Sequence, residues 1–150
     1  NSINLIDIGK SIKDNLDKLD VFVFSNIDYI LVENQISPIA NRMNCIQGMI
    51  TQYFIMKGMD NILYISAANK LKTFIGNKKT TYSERKKMGI TITKYILEEN
   101  NMDNTNKEKI ITMFNKHKKR DDLADSFLQA IWFLTQNDEN TKNLINKIRI

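Results

Sequence analysis

A short apolar run that ends on an acid is the feature that most restricts the possible folds of this chain. The run extends from Ile27 to Val32, and Glu33 follows it directly before the sequence turns polar and reaches Pro38, the only proline. A run of this length, rich in Ile, Tyr and Val, is typical of a strand covered on both faces in a parallel sheet. Glu33 is then either an ordinary polar residue at a strand end or one acid of a metal-binding site.

The residues that follow this run predict a helix and then a second strand. Apolar positions between residues 39 and 56 recur at steps of three and four, and residues 62 to 65 form another β-type run. Strands that alternate with helices indicate an α/β fold with at least one right-handed parallel crossover. Within the predicted helix, we expect Cys45 to be buried in the core and Gly48 to mark close packing against another element.

Four more helices are expected from the same kind of spacing. The first extends from Gly9 to Leu19, the next begins near Ser83, a short one extends from Lys107 to Lys116, and the last strong helix covers Asp121 to Thr135. Residues 100 to 106 are a polar connector between two of them. The chain has no internal repeat and no low-complexity linker.

The length of the chain, 150 residues, predicts a single domain with a sizeable core. The sequence has no apolar stretch of the roughly 18–20 residues that a membrane span requires, so we expect a soluble protein with no membrane partner. With one cysteine the chain cannot form an internal disulfide. This fits a reducing, intracellular compartment.

The charge of the chain is compatible with a polyanionic partner. Twenty-two Lys and Arg residues face 17 Asp and Glu residues, which gives a net charge of +5. Such an excess indicates nucleic-acid binding in some proteins, but in others it only reflects solvated faces that are rich in lysine. Charge alone therefore leaves both interpretations open.

Two acids at the beginning of the last strong helix are candidates for chemistry. Asp122 and Asp125 stand three residues apart, a spacing that places both carboxylates on one face of a helix. Together with Glu33 they supply the oxygen ligands that Mg²⁺ or Mn²⁺ requires, and two such ions can support phosphodiester hydrolysis. In the alternative interpretation, Asp121 and Asp122 cap the helix and Asp125 is simply solvated.

Six segments in order resemble the RuvC-like Holliday-junction resolvases, particularly those of poxviruses and other large DNA viruses. The segments are LVENQ, SPIANRM, QGMI, SAANKLK, ERKKMGI and DDLADSF, and they cover roughly Ile27 to Leu134. The resemblance implies a ribonuclease-H-like fold with a mixed sheet flanked by helices, and a homodimer. It also implies Mg²⁺-dependent endonuclease activity on branched DNA such as four-way junctions, during viral genome processing in the host cytoplasm.

The resemblance also assigns roles to individual residues. Glu33 matches the strand-end acid of the family, Asp122 and Asp125 match its paired helix acids, and Lys87 matches a lysine that lies near the metal ions. Lys and Arg side chains neutralise backbone phosphates. We therefore expect seven further cations to contact DNA: Arg42, Lys70, Lys72, Lys78, Lys79, Arg85 and Lys86.

The beginning of the chain departs from the family pattern. The family opens with a strand that carries another acid in an Asp-Ile/Val-Gly sequence, followed by a hairpin and then the first helix. Here Asp7-Ile8-Gly9 resembles that motif, but the helical spacing starts at Gly9 and leaves no room for a hairpin. We therefore predict that Ile3 to Ile8 form the third strand of the family, with the first strands missing. In the alternative, Asp7 lies on a strand beside Glu33 and completes the site.

The missing acid leaves two functions open. If Asp7 does not supply it, this polypeptide should bind metal and cut DNA poorly, although the full-length protein would remain an enzyme. The alternative function is a catalytically deficient module of the same fold that binds branched DNA.

Overall fold

The computed structural model describes residues 4–18, 26–36, 41–76, 79–99 and 103–146, which group into two compact units, Asn1–Ser66 and Ala67–Ile150. In their described parts, unit 1 contains a helix before a strand–helix–strand segment and unit 2 is helical. The prediction of a single domain stays a prediction.

The elements in chain order are α1 (Leu5–Leu16), β1 (Ile30–Glu33), α2 (Asn41–Met56), β2 (Ile62–Ile65), a 3₁₀ turn (Ala67–Asn69), α3 (Lys72–Ile75), α4 (Tyr82–Glu99), α5 (Asn104–Lys116), α6 (Arg120–Asn137) and α7 (Glu139–Asn146).

The two strands of unit 1 pair in parallel, as their separation by a helix predicts. Ile30 lies opposite Ile62 and Glu33 lies opposite Ile65, so the acid occupies the last paired position of β1. The backbone N–H of Asn34 donates to the carbonyl of Ile65 at 2.8 Å and ends the ladder. The β–α–β order of the α/β prediction is therefore confirmed, whereas the ribonuclease-H-like mixed sheet with missing first strands stays a prediction.

Helix α2 packs on this strand pair through two aromatic side chains. Tyr53 and Phe54 are buried, and their ring centroids lie 5.5 Å apart in an edge-to-face arrangement. The predictions for two other residues of α2 are wrong. Cys45 is exposed, and among the described residues nothing lies within 4 Å of the position that a β-carbon on Gly48 would occupy. Cys45 precedes the buried Phe54 by nine residues, or two and a half helical turns, so it lies on the opposite side of α2.

The prediction of a strand over Ile3 to Ile8 is wrong wherever the structure describes those residues. Leu5–Leu16 forms helix α1, and the side chain of Asn4 caps it by accepting the N–H of Ile6 at 2.9 Å. Asp7 is exposed in the first helical turn, where a carboxylate favours the helix dipole. The alternative in which Asp7 lies on a strand beside Glu33 is therefore also wrong. An N-cap asparagine and apolar residues at helical spacing decided the local structure.

A carboxylate at the end of α1 fastens this helix to α2. Asp17 accepts hydrogen bonds from Lys13 Nζ at 2.6 Å and from Tyr53 Oη at 2.7 Å, and Lys57 Nζ lies 3.1 Å from it. The hydrogen bond from Lys13, followed by those from Tyr53 and Lys57, holds the pKa of Asp17 well below its usual range. Two cations and a hydroxyl thus stabilise the charged form of one side chain.

The core of unit 2 lies between α4 and α6, with α3 and α7 packed on it. Its buried apolar residues are Leu71, Phe74, Ile92, Ile96, Leu128 and Ile145. The predicted helices near Ser83, from Lys107 and from Asp121 are confirmed, with each beginning one to three residues earlier in the structure. Helix α7 was not predicted from the sequence. No helix in the described part of the chain is long and apolar enough to cross a membrane.

Candidate functional site

The predicted acids of unit 2 lie in the first two turns of α6. Asp122 is exposed, and Asp125, three residues later, is half-buried. Lys70, which follows the 3₁₀ turn, donates its ammonium group to Asp125 Oδ2. The 19% exposure of the Lys70 side chain and the 31% exposure of the Asp125 side chain mean that this ion pair is partly shielded from water. The alternative interpretation, in which Asp125 is simply solvated, is therefore wrong, because this carboxylate binds a lysine.

A second ion pair links the beginnings of α4 and α6. Lys86 Nζ donates to Asp121 Oδ2 and lies 5.1 Å from the centroid of the Tyr82 ring. The hydrogen bond to Asp121 raises the pKa of Lys86, and the same hydrogen bond lowers the pKa of Asp121. The ammonium group of Lys86, predicted as a DNA contact, thus binds an acid of its own unit. Its DNA role stays a prediction.

Beside these two ion pairs unit 2 has a cleft of about 630 Å³. Four cations and one carboxylate contribute to its lining, so the excess charge of its side chains is positive. The charged residues are Lys70, Lys72, Arg85, Lys86 and Asp125. The uncharged residues are Ala67, Ala68, Asn69, Leu71, Ile75, Gly76, Thr80 and Tyr82.

Local capping fixes the edge of the cleft where α4 begins. Glu84 Oε2 accepts the N–H of Thr81 at 2.7 Å and its hydroxyl at 2.8 Å, and Thr81 Oγ1 accepts the N–H of Glu84 at 3.3 Å. This reciprocal arrangement is a capping box, in which a hydroxyl and an acid three residues apart satisfy each other's backbone groups. Arg85 donates to the Thr80 carbonyl at 2.9 Å. The guanidinium group is therefore held at the edge of the cleft.

Glu33 belongs to unit 1, where it is half-buried at the end of β1. Gln35 Nε2 lies 3.5 Å from Glu33 Oε1, and the N–H of Gln35 donates to the Gln47 side chain at 2.7 Å. These contacts fix the backbone just after the strand and place an amide beside the acid. Arg42 is exposed in the first turn of α2.

The remaining predicted residues of unit 2 differ in their positions. Lys72 is exposed and lines the cleft, and Lys79 is exposed just before α4. Lys87 is exposed on α4, next to Lys86 in sequence, and its role near metal ions stays a prediction. Lys78 lies outside the described residues.

The donor chemistry of the acids fits a hard cation, since carboxylate oxygens are the ligands that Mg²⁺ and Mn²⁺ prefer. Within the ranges that the structure describes, no three or more His, Cys, Asp and Glu side chains form a group that could hold a metal ion. Lys70 already binds Asp125. Metal binding, with one ion or two, therefore stays a prediction.

The turn between α5 and α6 is a basic feature to which the sequence reasoning assigned no role. Residues 116–120, with the sequence Lys-His-Lys-Lys-Arg, are all exposed. His117 Nδ1 accepts the backbone N–H of Lys119 at 3.1 Å, which fixes the turn. The signal was present in the sequence as a run of cations, but its position at a helix boundary emerged only from the structure.

Comparison with known proteins shows a similarity to a viral protein. The chain is 28% identical over 139 residues to an uncharacterized protein, L451, of Acanthamoeba polyphaga mimivirus, and the match covers 79% of this chain and 32% of that protein. The chain thus spans about a third of the length of its viral relative. No protein-family profile matches the chain, and no solved structure matches it.

Proposed function

We propose that this chain is a structure-selective DNA endonuclease that cleaves four-way junctions and other branched DNA by metal-dependent phosphodiester hydrolysis. The observation that carries the proposal is the position of Asp125 at a cleft lined by four cations. Cations bind the phosphates of a DNA strand, and an acid among them can bring a metal ion to a phosphate. The resemblance to RuvC-like resolvases supports this interpretation, and the similarity to a mimivirus protein is compatible with a viral origin.

In this proposal Glu33, Asp122 and Asp125 are the metal ligands. Bound Mg²⁺ or Mn²⁺ would supply an activated water and stabilise the leaving oxygen of the phosphodiester. Lys87 contacts the scissile phosphate, and the exposed cations Arg42, Lys72 and Lys79 bind the DNA backbone. The enzyme acts as a homodimer on branched DNA during viral genome processing.

The test is cleavage of a synthetic four-way junction in Mg²⁺, by this chain and by the protein read from its native gene start. We expect paired, symmetrical nicks. Asp125→Asn should abolish them and leave junction binding nearly intact, because the amide keeps the size of the side chain but not its charge. Asp14→Asn, at an exposed position of α1, is the matched control and should leave both activities unchanged. Cleavage that survives Asp125→Asn would refute the site.

A second function is favoured by a specific observation, the ion pair between Lys70 and Asp125. A lysine that neutralises the acid serves as well in a module that binds branched DNA without cutting it. Such a module binds junctions with an affinity that falls steeply with salt, because counterions compete with its cations for the phosphates. It produces no nicks with any divalent metal, whereas the enzyme does.

A further inference from the structure

We propose that the cleft of unit 2 binds one unstacked nucleotide of a DNA strand, with the base against Tyr82 and the phosphate against Lys72 and Arg85. This inference deepens the proposed function and rests on it for the identity of the ligand as DNA. It adds a site for a base to a surface for which only phosphate contacts were expected. The site would let the protein recognise a branch point by its unpaired nucleotides.

Tyr82 is the residue that points to a base. It is the first residue of α4 and lines the cleft, yet its side chain is 67% exposed. Lys86 lies over its ring, and Asp121 in turn binds the ammonium group of that lysine. The aromatic ring is therefore held in place before any ligand arrives, which lowers the entropy cost of binding. A fixed, accessible aromatic ring in a basic groove is the usual stacking platform for bases.

The size and the walls of the cleft also suit a nucleotide. Its volume of about 630 Å³ lies in the range of roughly 300–1,000 Å³ that is typical of sites for small ligands. Leu71 and Ile75 supply apolar surface, as do Ala67 and Ala68. A base has two apolar faces and polar edges, so it can bury one face there while its edges remain near polar groups.

Two cations are placed to hold the phosphate of the same nucleotide. Lys72 is exposed in the lining of the cleft. One donor of Arg85 is used by the Thr80 carbonyl, and a guanidinium group has five N–H donors in all, so others remain for an anion. At Asp125, Lys70 already compensates the negative charge. The cleft as a whole therefore attracts a phosphate.

The geometry of stacking restricts the ligand further. In a continuous duplex each base is stacked on both faces, and exposing one face requires its removal from the helix at a cost of a few kcal/mol. This cost is smallest for a nucleotide that is already unpaired. The cleft should therefore select single strands and branch points over continuous duplex.

The test uses the full chain, a single-stranded oligonucleotide that contains 2-aminopurine, and EDTA to remove divalent metal. Stacking on Tyr82 should quench the fluorescence of 2-aminopurine. Tyr82→Ala should remove the quenching and weaken binding about tenfold, while Tyr82→Phe, which keeps the ring, should retain both. Tyr95→Ala is the matched control, because Tyr95 is exposed on the same helix but does not line the cleft.

The phosphate contacts have a separate readout, the dependence of affinity on salt. Lys72→Gln and Arg85→Gln should each reduce the slope of log K against log salt by about 0.7 for a single strand. Lys109→Gln removes the same charge from an exposed position of α5 and should leave the slope unchanged. Circular dichroism of every variant checks that the fold is retained.

Two results would overturn the nucleotide site. One is that Tyr82→Ala and Tyr95→Ala change quenching and affinity equally, and the other is that the Tyr82→Ala protein still quenches 2-aminopurine fully. Because the assay contains no metal and no cleavage step, its result is independent of the nuclease proposal. A chain that quenches through Tyr82 but cuts no junction retains the nucleotide site and loses only the proposed activity. A chain that cuts junctions but quenches without Tyr82 loses only the nucleotide site.

Discussion

Replacing Gly89 with alanine should stabilise unit 2, and the structure shows where the added methyl group goes. Gly89 is buried in the middle of α4. A β-carbon there would lie 3.7 Å from Leu128 Cδ1 and 3.9 Å from Ala124 Cβ, which are ordinary van der Waals distances. It would also lie 3.9 Å from Asp125 Oδ1. The methyl group therefore fits between α4 and α6 without displacing either helix.

Two contributions add in this substitution. Alanine is more favourable than glycine in a helix interior by about 0.9 kcal/mol. Burial of one methyl group adds about 0.8 kcal/mol. The free energy of unfolding should therefore rise by about 1.7 kcal/mol, which corresponds to an increase in Tm of about 3–7 °C for a chain of this size.

Gly48→Ala is the matched control for the packing contribution. Gly48 also lies within a helix, but no atom of the part of the chain that the structure describes lies within 4 Å of its β-carbon position. Only the helix-propensity contribution of about 0.9 kcal/mol remains there. Urea unfolding followed by circular dichroism at 222 nm measures both variants. A Gly89→Ala protein that is less stable than the wild type would refute the packing described for α4 and α6.

Two further predictions concern charge. Asp17→Asn should destabilise the protein at pH 7, and the difference in stability from the wild type should shrink as the pH falls towards 2. The pKa of Asp17 is lower in the folded protein than its unfolded value of about 3.9. The charged carboxylate therefore contributes stability above the unfolded pKa, and this contribution is lost as the pH falls through the folded pKa. Urea midpoints at pH 7, 4 and 2 test this, with Asp14→Asn as the control, and a pH-independent difference would contradict it. Lys118→Gln combined with Lys119→Gln should weaken junction binding equally for all sequences and reduce the salt slope by about 0.9 per lysine, as measured by fluorescence anisotropy. If binding matched that of Lys109→Gln instead, the basic turn would have no role in DNA contact.

The strands and most helices of this chain were predictable because their signals are local. The runs before Glu33 and at Ile62–Ile65 are short, apolar and β-branched, and a helix between two strands favours parallel pairing. The helix predicted from Gly9 is confirmed but begins at Leu5, because the Asn4 cap and the helical spacing prevail over the resemblance of residues 3–8 to a strand of the family. Local capping was the better guide to Asp7, which lies in α1.

The residue types of the candidate site were also readable from the sequence. The three-residue spacing of Asp122 and Asp125 predicted two acids on one face at the beginning of a helix, and the structure has both in the first two turns of α6. The excess of cations suggested a polyanionic partner. These conclusions need only the helical period and the formal charges. They say nothing about which cation meets which acid.

Only the tertiary structure decided those pairings. Lys70 and Asp125 are 55 positions apart and Lys86 and Asp121 are 35 apart, so no local rule could join them. The packing of unit 2 also placed Tyr82 at the cleft, and in unit 1 the packing of α2 left Cys45 exposed. The sequence determined the helices and strands, because their signals lie in neighbouring residues, and it determined which charged side chains the chain carries. The packing of helices decided which charges are neutralised within unit 2 and which remain exposed.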